Sequence, residues 1–370
     1  MEPNDALYIH ALRSIEGIGD GTLSRLLLHF GSGAQVWSAS EHEIDATPKI
    51  DPKRKVAIIA GRKNINPVEL WNKLLDQNIT LHTKRDPTYP QLLKEIPDSP
   101  ETLYTRGHFD WTKPVSCIAI VGSRKHSPYG VQVAKQLAED LTVAGLTVVS
   151  GMAFGIDSVA HRGALNAHGE TLAVLGSGID DASLTPVSHF QLAQKIMTQG
   201  ALLSEYPPGT PATPGSFPMR DRIIAGLCLG TIVIEAGEKS GSLITAHCAL
   251  DYNREVFAIP GSIFSPYSIG TNQLIKHGAK LVTGVTDILE ELKIEQTSFF
   301  SASESSEKIS SLSTEERIIL STLSTEPLHI DKIIKISNLK APVVSSLLAL
   351  LEIKGLAKNL GGMHYVRVAS

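Results

Sequence analysis

Cysteine is scarce in this chain, and the three that occur, Cys117, Cys228 and Cys248, are far apart, odd in number and without a C-x-x-C pair. Neither a disulfide framework nor a zinc site is expected from them, and a reducing cytoplasm fits. Long apolar runs are also missing. None approaches the ~18 residues of a membrane span, and the opening "MEPNDALYIH" is acidic and polar, unlike a signal peptide, so no membrane partner and a cytoplasmic location are expected. Basic excess is absent as well. A formal net charge of −4 excludes a general basic coat for nucleic acid, because phosphate binding runs on local Lys and Arg neutralisation with counterion release; a polyanion site must be a focused patch. Finally, there is no G-x-x-x-x-G-K-[ST], no G-x-G-x-x-G with an acidic residue at the next strand end, no H-E-x-x-H and no G-x-S-x-G. What remains is a site built to bind, with no cofactor or metal expected.

With 370 residues the chain exceeds what one core usually serves, so two or three domains are expected. A content of 42% hydrophobic and 19% charged residues excludes a mainly disordered chain. Residues 1–75 have apolar positions at helical spacing in "ALYIHALRSI" and "GTLSRLLLHFG", a small helical domain. The Gly-Ile-Gly between them could set backbone N–H groups against a phosphate, but the plainer reading is a tight turn. Residues 80–295 alternate apolar runs with helical patterns, the signature of a doubly wound α/β domain with a mainly parallel sheet. At least five buried strands are legible: "CIAIVG", "LTVVSG", "TLAVLG", "GTIVIEA" and "EVFAIPG". Residues 296–313 read as a Ser-rich linker. Residues 314–370 read as three helices and a hairpin across Gly361 and Gly362, a winged helix whose third helix carries almost no Lys or Arg. Duplex binding through that helix, protein contact and a purely structural role are all open.

Four loops carry the chemistry. In "VGSRKHSPYG", Gly122, Ser123, Arg124 and Lys125 follow a strand, and Ser127 with Pro128 suits a helix N-cap and first helical position. Such a loop offers N–H groups and a positive helix end to an anion, and Arg124 adds a bidentate fork. In "SGMAFGIDSVAHRGAL", the small positions Ser150, Gly151 and Gly155 precede a helix; Asp157 suits an N-cap and His161 a structural hydrogen bond. "GSFPMRDRIIAGLCLG" sets Phe217 beside Arg220 and Arg222. An aromatic with two cations grips single strands; the alternative is Phe217 in the core, which fits that residue equally, with both arginines as surface residues in salt bridges. "EAGEKSGSLITAHCAL" places Lys239, Ser240, Gly241 and Ser242 before another helix, again an anion site or else a solvent loop.

Through these loops, and through "LAVLGSGID", "LLSEYPPG" and "VFAIPGSIFSPYSIGTN", the sequence closely resembles the DNA processing protein A (DprA, or Smf) family over nearly its whole length. The resemblance implies an extended Rossmann fold that binds single-stranded DNA in a positive pocket and dimerises through that fold. It further implies protection of incoming DNA in natural transformation, loading of a RecA-type recombinase, a single-strand-binding protein as a further partner, and no established catalysis. The family's Gly-Ser-Arg loop falls on Gly122 to Arg124, its Ser-Gly-x-Ala-x-Gly-Ile-Asp loop on Ser150 to Asp157, and its Phe-Pro-x-Arg-Asn-Arg segment on Phe217 to Arg222. Three departures stand out: Asp221 replaces the usual Asn, "DDASLTPVSHFQL" lacks a lysine that relatives often carry there, and Phe154 occupies a usually polar position. An enzyme reading competes with this one. A Rossmann-type nucleotide hydrolase of the lysine decarboxylase-like group has a Gly-rich loop that Glu235 to Thr245 partly matches.

Overall fold

The computed structural model describes residues 5–112, 116–294, 313–324, 328–337, 339–353, 356–359 and 362–367. The chain divides into two compact units, Met1–Gln296 and Thr297–Ser370. All but the last residue of the expected Ser-rich linker lies outside the described residues.

The first unit opens with six helices, α1 (Asp5–Arg13), α2 (Asp20–Phe30), α3 (Gly33–Ser38), α4 (Glu41–Ala46), α5 (Pro52–Asn64) and α6 (Pro67–Asp76). Ser32, Ser40, Asp51 and Asn66 cap the last four of them through side-chain oxygens, each satisfying an otherwise orphaned first-turn amide. The rest alternates strand and helix: β1 (Ile79–Thr83), α7 (Gln91–Glu95), β2 (Thr102–Gly107), β3 (Cys117–Val121), α8 (Pro128–Val143), β4 (Thr147–Ser150), α9 (Ile156–Asn166), β5 (Thr171–Val174), α10 (Phe190–Thr198), β6 (Gly200–Ser204), α11 (Ser216–Leu227), β7 (Gly230–Val233), α12 (Ser242–Asp251), β8 (Glu255–Ala258), α13 (Ile269–Lys276), β9 (Lys280–Leu281) and α14 (Val285–Glu291).

These strands form one nine-stranded sheet in the order β1-β2-β6-β5-β4-β3-β7-β8-β9. From β6 to β9 every pairing is parallel, while β1 and β2 join antiparallel at one edge. The five strands legible in the sequence are β3, β4, β5, β7 and β8. Period-two alternation sends β3 into two cores: Cys117, Ala119 and Val121 face α7, α11 and α12, and Ile118 and Ile120 face α8 and α9. Covering both faces explains why the parallel strands read as unbroken apolar runs.

The helical head has a core of its own, including Ile9, Leu23, Leu26, Ile44 and Ile58. It is also tied to the sheet. His10 Nδ1 lies 3.0 Å from the Tyr104 hydroxyl, the Asp20 carboxylate accepts from the Glu101 amide at 2.8 Å, and Arg13 donates to the Glu205 carbonyl at 3.4 Å.

Among its described residues the second unit has three helices, α15 (Thr314–Thr322), α16 (Ile330–Ser337) and α17 (Ala341–Ile353), with a three-stranded sheet ordered β10 (Leu328–His329), β12 (His364–Arg367), β11 (Ala357–Asn359). Here β11 and β12 pair antiparallel as the wing. The third helix buries Val344, Leu348 and Leu351 against Ile319 and Ile333, so these three residues serve the core.

Burial holds the His10 imidazole at about 4, below the usual 6.5, so between those values the unfolded chain binds a proton that the folded one does not. The stability this supplies is complete above pH 6.5 and is lost as pH falls toward 4, on the order of 3 kcal/mol. Urea titrations across that range should show the loss, and His10→Gln should remove His10's share of it, leaving the parts due to His82, which burial also lowers, and to His161, which burial holds at about 3.

Candidate functional site

β3 lies between β4 and β7, so the chain leaves it toward opposite sides and a crevice opens at its carboxyl end, the switch point where open α/β sheets bind ligands. A cleft of about 630 Å³ occupies this place. The β3–α8 loop lines it with Gly122, Ser123, Arg124 and Lys125, α11 with Phe217, Arg220, Asp221 and Ile224, and the start of α12 with Ser240, Gly241, Ser242 and Thr245.

All four loops therefore meet at the cleft, but the second lines it through Ala153 and Asp157 rather than through the small residues the sequence suggests. At Gly155 the backbone has φ 82°, and a Cβ there would collide with the Ser123 carbonyl and lie 2.7 Å from that of Arg124. Glycine is needed for the β4–α9 loop to pass under the β3–α8 loop. Two amides of this second loop are engaged within it, Gly151 and Ala153 donating to the Asp157 carboxylate at 3.2 and 3.4 Å, and Ile156 at the start of α9 donates to the Ser123 carbonyl. Asp157 thus folds the preceding loop, while Gly155 occupies the N-cap position of α9, which corrects the N-cap expectation. Ser150 is fully buried and donates to the Ile120 carbonyl at 2.7 Å. Ser150, Gly151 and Gly155 support the cleft without lining it.

The first loop is held from below. Ser127 caps α8, and its amide and hydroxyl donate to Glu235 at 2.9 and 2.5 Å, so the buried Glu235 carboxylate at the end of β7 is committed to this loop. At the mouth, Arg124 is exposed with its guanidinium carbon 5.3 Å from the centroid of the half-buried Phe217 ring, a cation–π distance. The first turn of α12 has no side-chain cap at Gly241, leaving a positive helix end beside Arg124.

The floor carries charge. Arg220 donates to Asp221 at 2.9 Å and to the carbonyls of Gly151 and Val174, both at 2.6 Å. Burial pushes the Asp221 carboxyl up to about 6, with the Arg220 guanidinium opposing and Asp157 adding to the rise. Asp157 is raised by burial too, again opposed by Arg220. Two buried acids share one guanidinium here.

Arg222 does not join the cleft. It is buried, donating to Glu205 Oε2 at 2.7 Å and to the Asp98 carbonyl at 2.6 Å, a structural ion pair between α11 and the strand β6 region. Lys239 is exposed near the rim but is not a lining residue. His161 is buried and bonds Thr171 at 2.8 Å, a structural role. Sequence reasoning missed Ala153, Pro214, Ile224 and Ile244, which give the cleft its apolar wall, and the polar Thr245 and Asp157, which also line it. Helical spacing was the available signal for part of it, since Phe217, Arg220, Asp221 and Ile224 fall on one face of α11. Among the described residues no group of three or more His, Cys, Asp or Glu could hold a metal ion, and no single helix is long and apolar enough to cross a membrane.

Fold and cleft define a doubly wound α/β binding protein with a cation and an aromatic ring at the switch point and a winged helix after it. The profile described as "DNA recombination-mediator protein A" matches residues 80–293, and that of the DprA winged helix domain matches residues 303–363. The chain belongs to the DNA recombination-mediator protein A family. It is 33% identical to Protein Smf of Synechocystis over 99% of this chain and all of that one, and 44% identical to the DNA processing protein DprA of Bacillus subtilis over 55% of this chain and 68% of that one. Among solved structures it resembles DprA of Streptococcus pneumoniae (TM-score 0.67, 35% identity, 77% of this chain and 97% of that one). It also resembles DprA of Helicobacter pylori, described for its single-stranded DNA binding mode (TM-score 0.52, 29% identity, 58% of this chain and 96% of that one).

Removing one partner of a buried ion pair leaves the other charge unpaired, at about 3–5 kcal/mol, whereas replacing both by apolar groups can be neutral. Arg222→Met should therefore lower the urea midpoint strongly, and adding Glu205→Leu should recover much of the loss. Equal midpoints for the single variant and the wild type would contradict the structural role given to Arg222.

Proposed function

We propose that the chain binds single-stranded DNA in the strand-end cleft. In this reading it acts without catalysis, protecting incoming strands in natural transformation and helping to load a RecA-type recombinase. It works as a homodimer through the Rossmann-like unit, with a single-strand-binding protein as a further partner. The observation that carries the reading is the Arg124–Phe217 pair at the cleft mouth. A guanidinium fork suits a backbone phosphate, and an aromatic face suits any base without reading its sequence. Membership of a recombination-mediator family and the single-strand binding of the Helicobacter pylori relative support it.

On this account a phosphate sits between Arg124, Lys125 and the uncapped start of α12, while a base takes the Phe217 face. Duplex is disfavoured because stacking needs unpaired bases. The nucleotide-hydrolase alternative draws no support from Glu235, whose carboxylate accepts from both the amide and the hydroxyl of Ser127.

Arg124→Ala should weaken single-strand binding by about 1–3 kcal/mol, the size of a charge-assisted hydrogen bond to an anion, with the fold intact. Fluorescence anisotropy with a labelled oligothymidylate measures this, and unchanged affinity would remove Arg124 from the site.

A second expectation follows from Asp221, whose carboxyl titrates at about 6. Its negative charge opposes a bound phosphate, so DNA raises its pKa further and binding takes up protons. Affinity should be greatest below about pH 6 and fall as pH rises above it. Asp221→Asn should tighten binding at pH 7.5, flatten the pH profile, and lose its advantage as salt rises.

A further inference from the structure

Two exposed rings lie at the same sheet edge as the cleft, one on each side. Phe154, on the loop after β4, is 52% exposed, and Phe264, on the loop after β8, is 89% exposed with Ile263 beside it at 81%. In sheet order the loops run β4, β3, β7, β8, and all four strands are parallel, so the loops leave the same edge. Phe154 and Phe264 therefore bracket Arg124, Lys125 and Lys239. From β4 to β8 is three interstrand steps, about 14 Å.

Both platforms are braced. The Phe154 ring meets His189 edge-on at 5.0 Å, and His189 is itself tied to the Met152 carbonyl at 2.9 Å. The Phe264 loop is pinned where it enters and leaves: the Tyr129 hydroxyl donates to the Pro260 carbonyl at 3.2 Å, Asn272 Nδ2 to the Gly261 carbonyl at 3.0 Å, and the Ala236 amide to the Tyr267 carbonyl at 2.8 Å. The last of these joins the β8–α13 loop to the β7–α12 loop that borders the cleft.

The geometry points to a stacking track for single-stranded DNA along the strand ends, with Phe154 and Phe264 taking bases on either side of the one held at Phe217. This rests on the proposed single-strand site and extends it from one subsite to three. Charge along the track fits a polyanion: the loop tips expose Arg124, Lys125 and Lys239 against one acid, Glu238. A contact with a second copy of the chain fits less well. A stable protein interface needs about 20–30 residues a side, whereas Ile263 and Phe264 stand on a short loop among Ser262, Ser265 and Pro266; one exposed ring suffices to stack a base.

The test is a length series of oligothymidylates, from about four to about sixteen nucleotides, titrated by anisotropy against the full chain and its Phe264→Ala, Phe154→Ala, Phe264→Tyr and Arg124→Ala variants. Phe264→Ala and Phe154→Ala should each lose about five- to a hundredfold on the longest oligomer and almost nothing on the shortest. Phe264→Tyr should bind like the wild type. Arg124→Ala should lose affinity at every length, which shows that the central site is intact as a reading even if the track fails. If Phe264→Ala binds long oligomers as the wild type does, or if light scattering shows that it loses a dimer the wild type forms, the track is overturned.

Discussion

The cleft depends on one guanidinium. Arg220, buried at the start of α11, donates to the carbonyl ends of β4 and β5 and to Asp221, joining two strand termini and the helix that crosses them. Gly151 lies just past β4 and Val174 is the last residue of β5, and buried backbone acceptors without partners are costly. Even the glycine at position 151 answers to this group, because a Cβ there would collide with Arg220 Nη1. A residue so committed is poorly placed to follow a mobile phosphate, since leaving would orphan two acceptors.

That constraint divides the site into a stiff floor and an adjustable rim. The floor holds Arg220 between Asp157 and Asp221, and the Ser127–Glu235 pair locks the first loop to the end of β7. The rim holds Arg124 and Lys125 in solvent, with Phe217 beneath. A rim of one fork and one ring on a fixed frame suits a ligand that repeats a phosphate and a base without fixed sequence. It agrees with the net charge of −4, since a focused patch needs no basic surface elsewhere.

Much of this was legible in the sequence. Buried parallel strands announce themselves as apolar runs ending in small residues, and the Ser127–Pro128 start of α8 follows from local capping chemistry. The two arginines of "FPMRDR" show what stayed hidden. Residues two apart on a helix point about 200° from each other, so Arg220 and Arg222 could not both face one cleft, and spacing alone forbids the pair. Which of them turned inward depended on Glu205 and Asp98, the latter 124 positions away, and no local pattern carries that. Asp157 was hidden for a similar reason: a carboxylate at a helix start reads as a cap, and only the tertiary path shows it holding the loop behind it. The antiparallel edge of β1 and β2 also went unread, its sequences "ITLHT" and "TLYTRG" being polar in part.

The central claim is that the strand-end cleft, with Phe217 at its mouth, is where the single strand lies. Photo-crosslinking with an oligonucleotide carrying a halogenated uracil tests it directly, because such a base couples efficiently to an aromatic ring it stacks on. The account predicts that the principal crosslinked peptide contains Phe217. Crosslinks confined to the six head helices or to residues 313–367, with the α11 peptide unmodified, would contradict it.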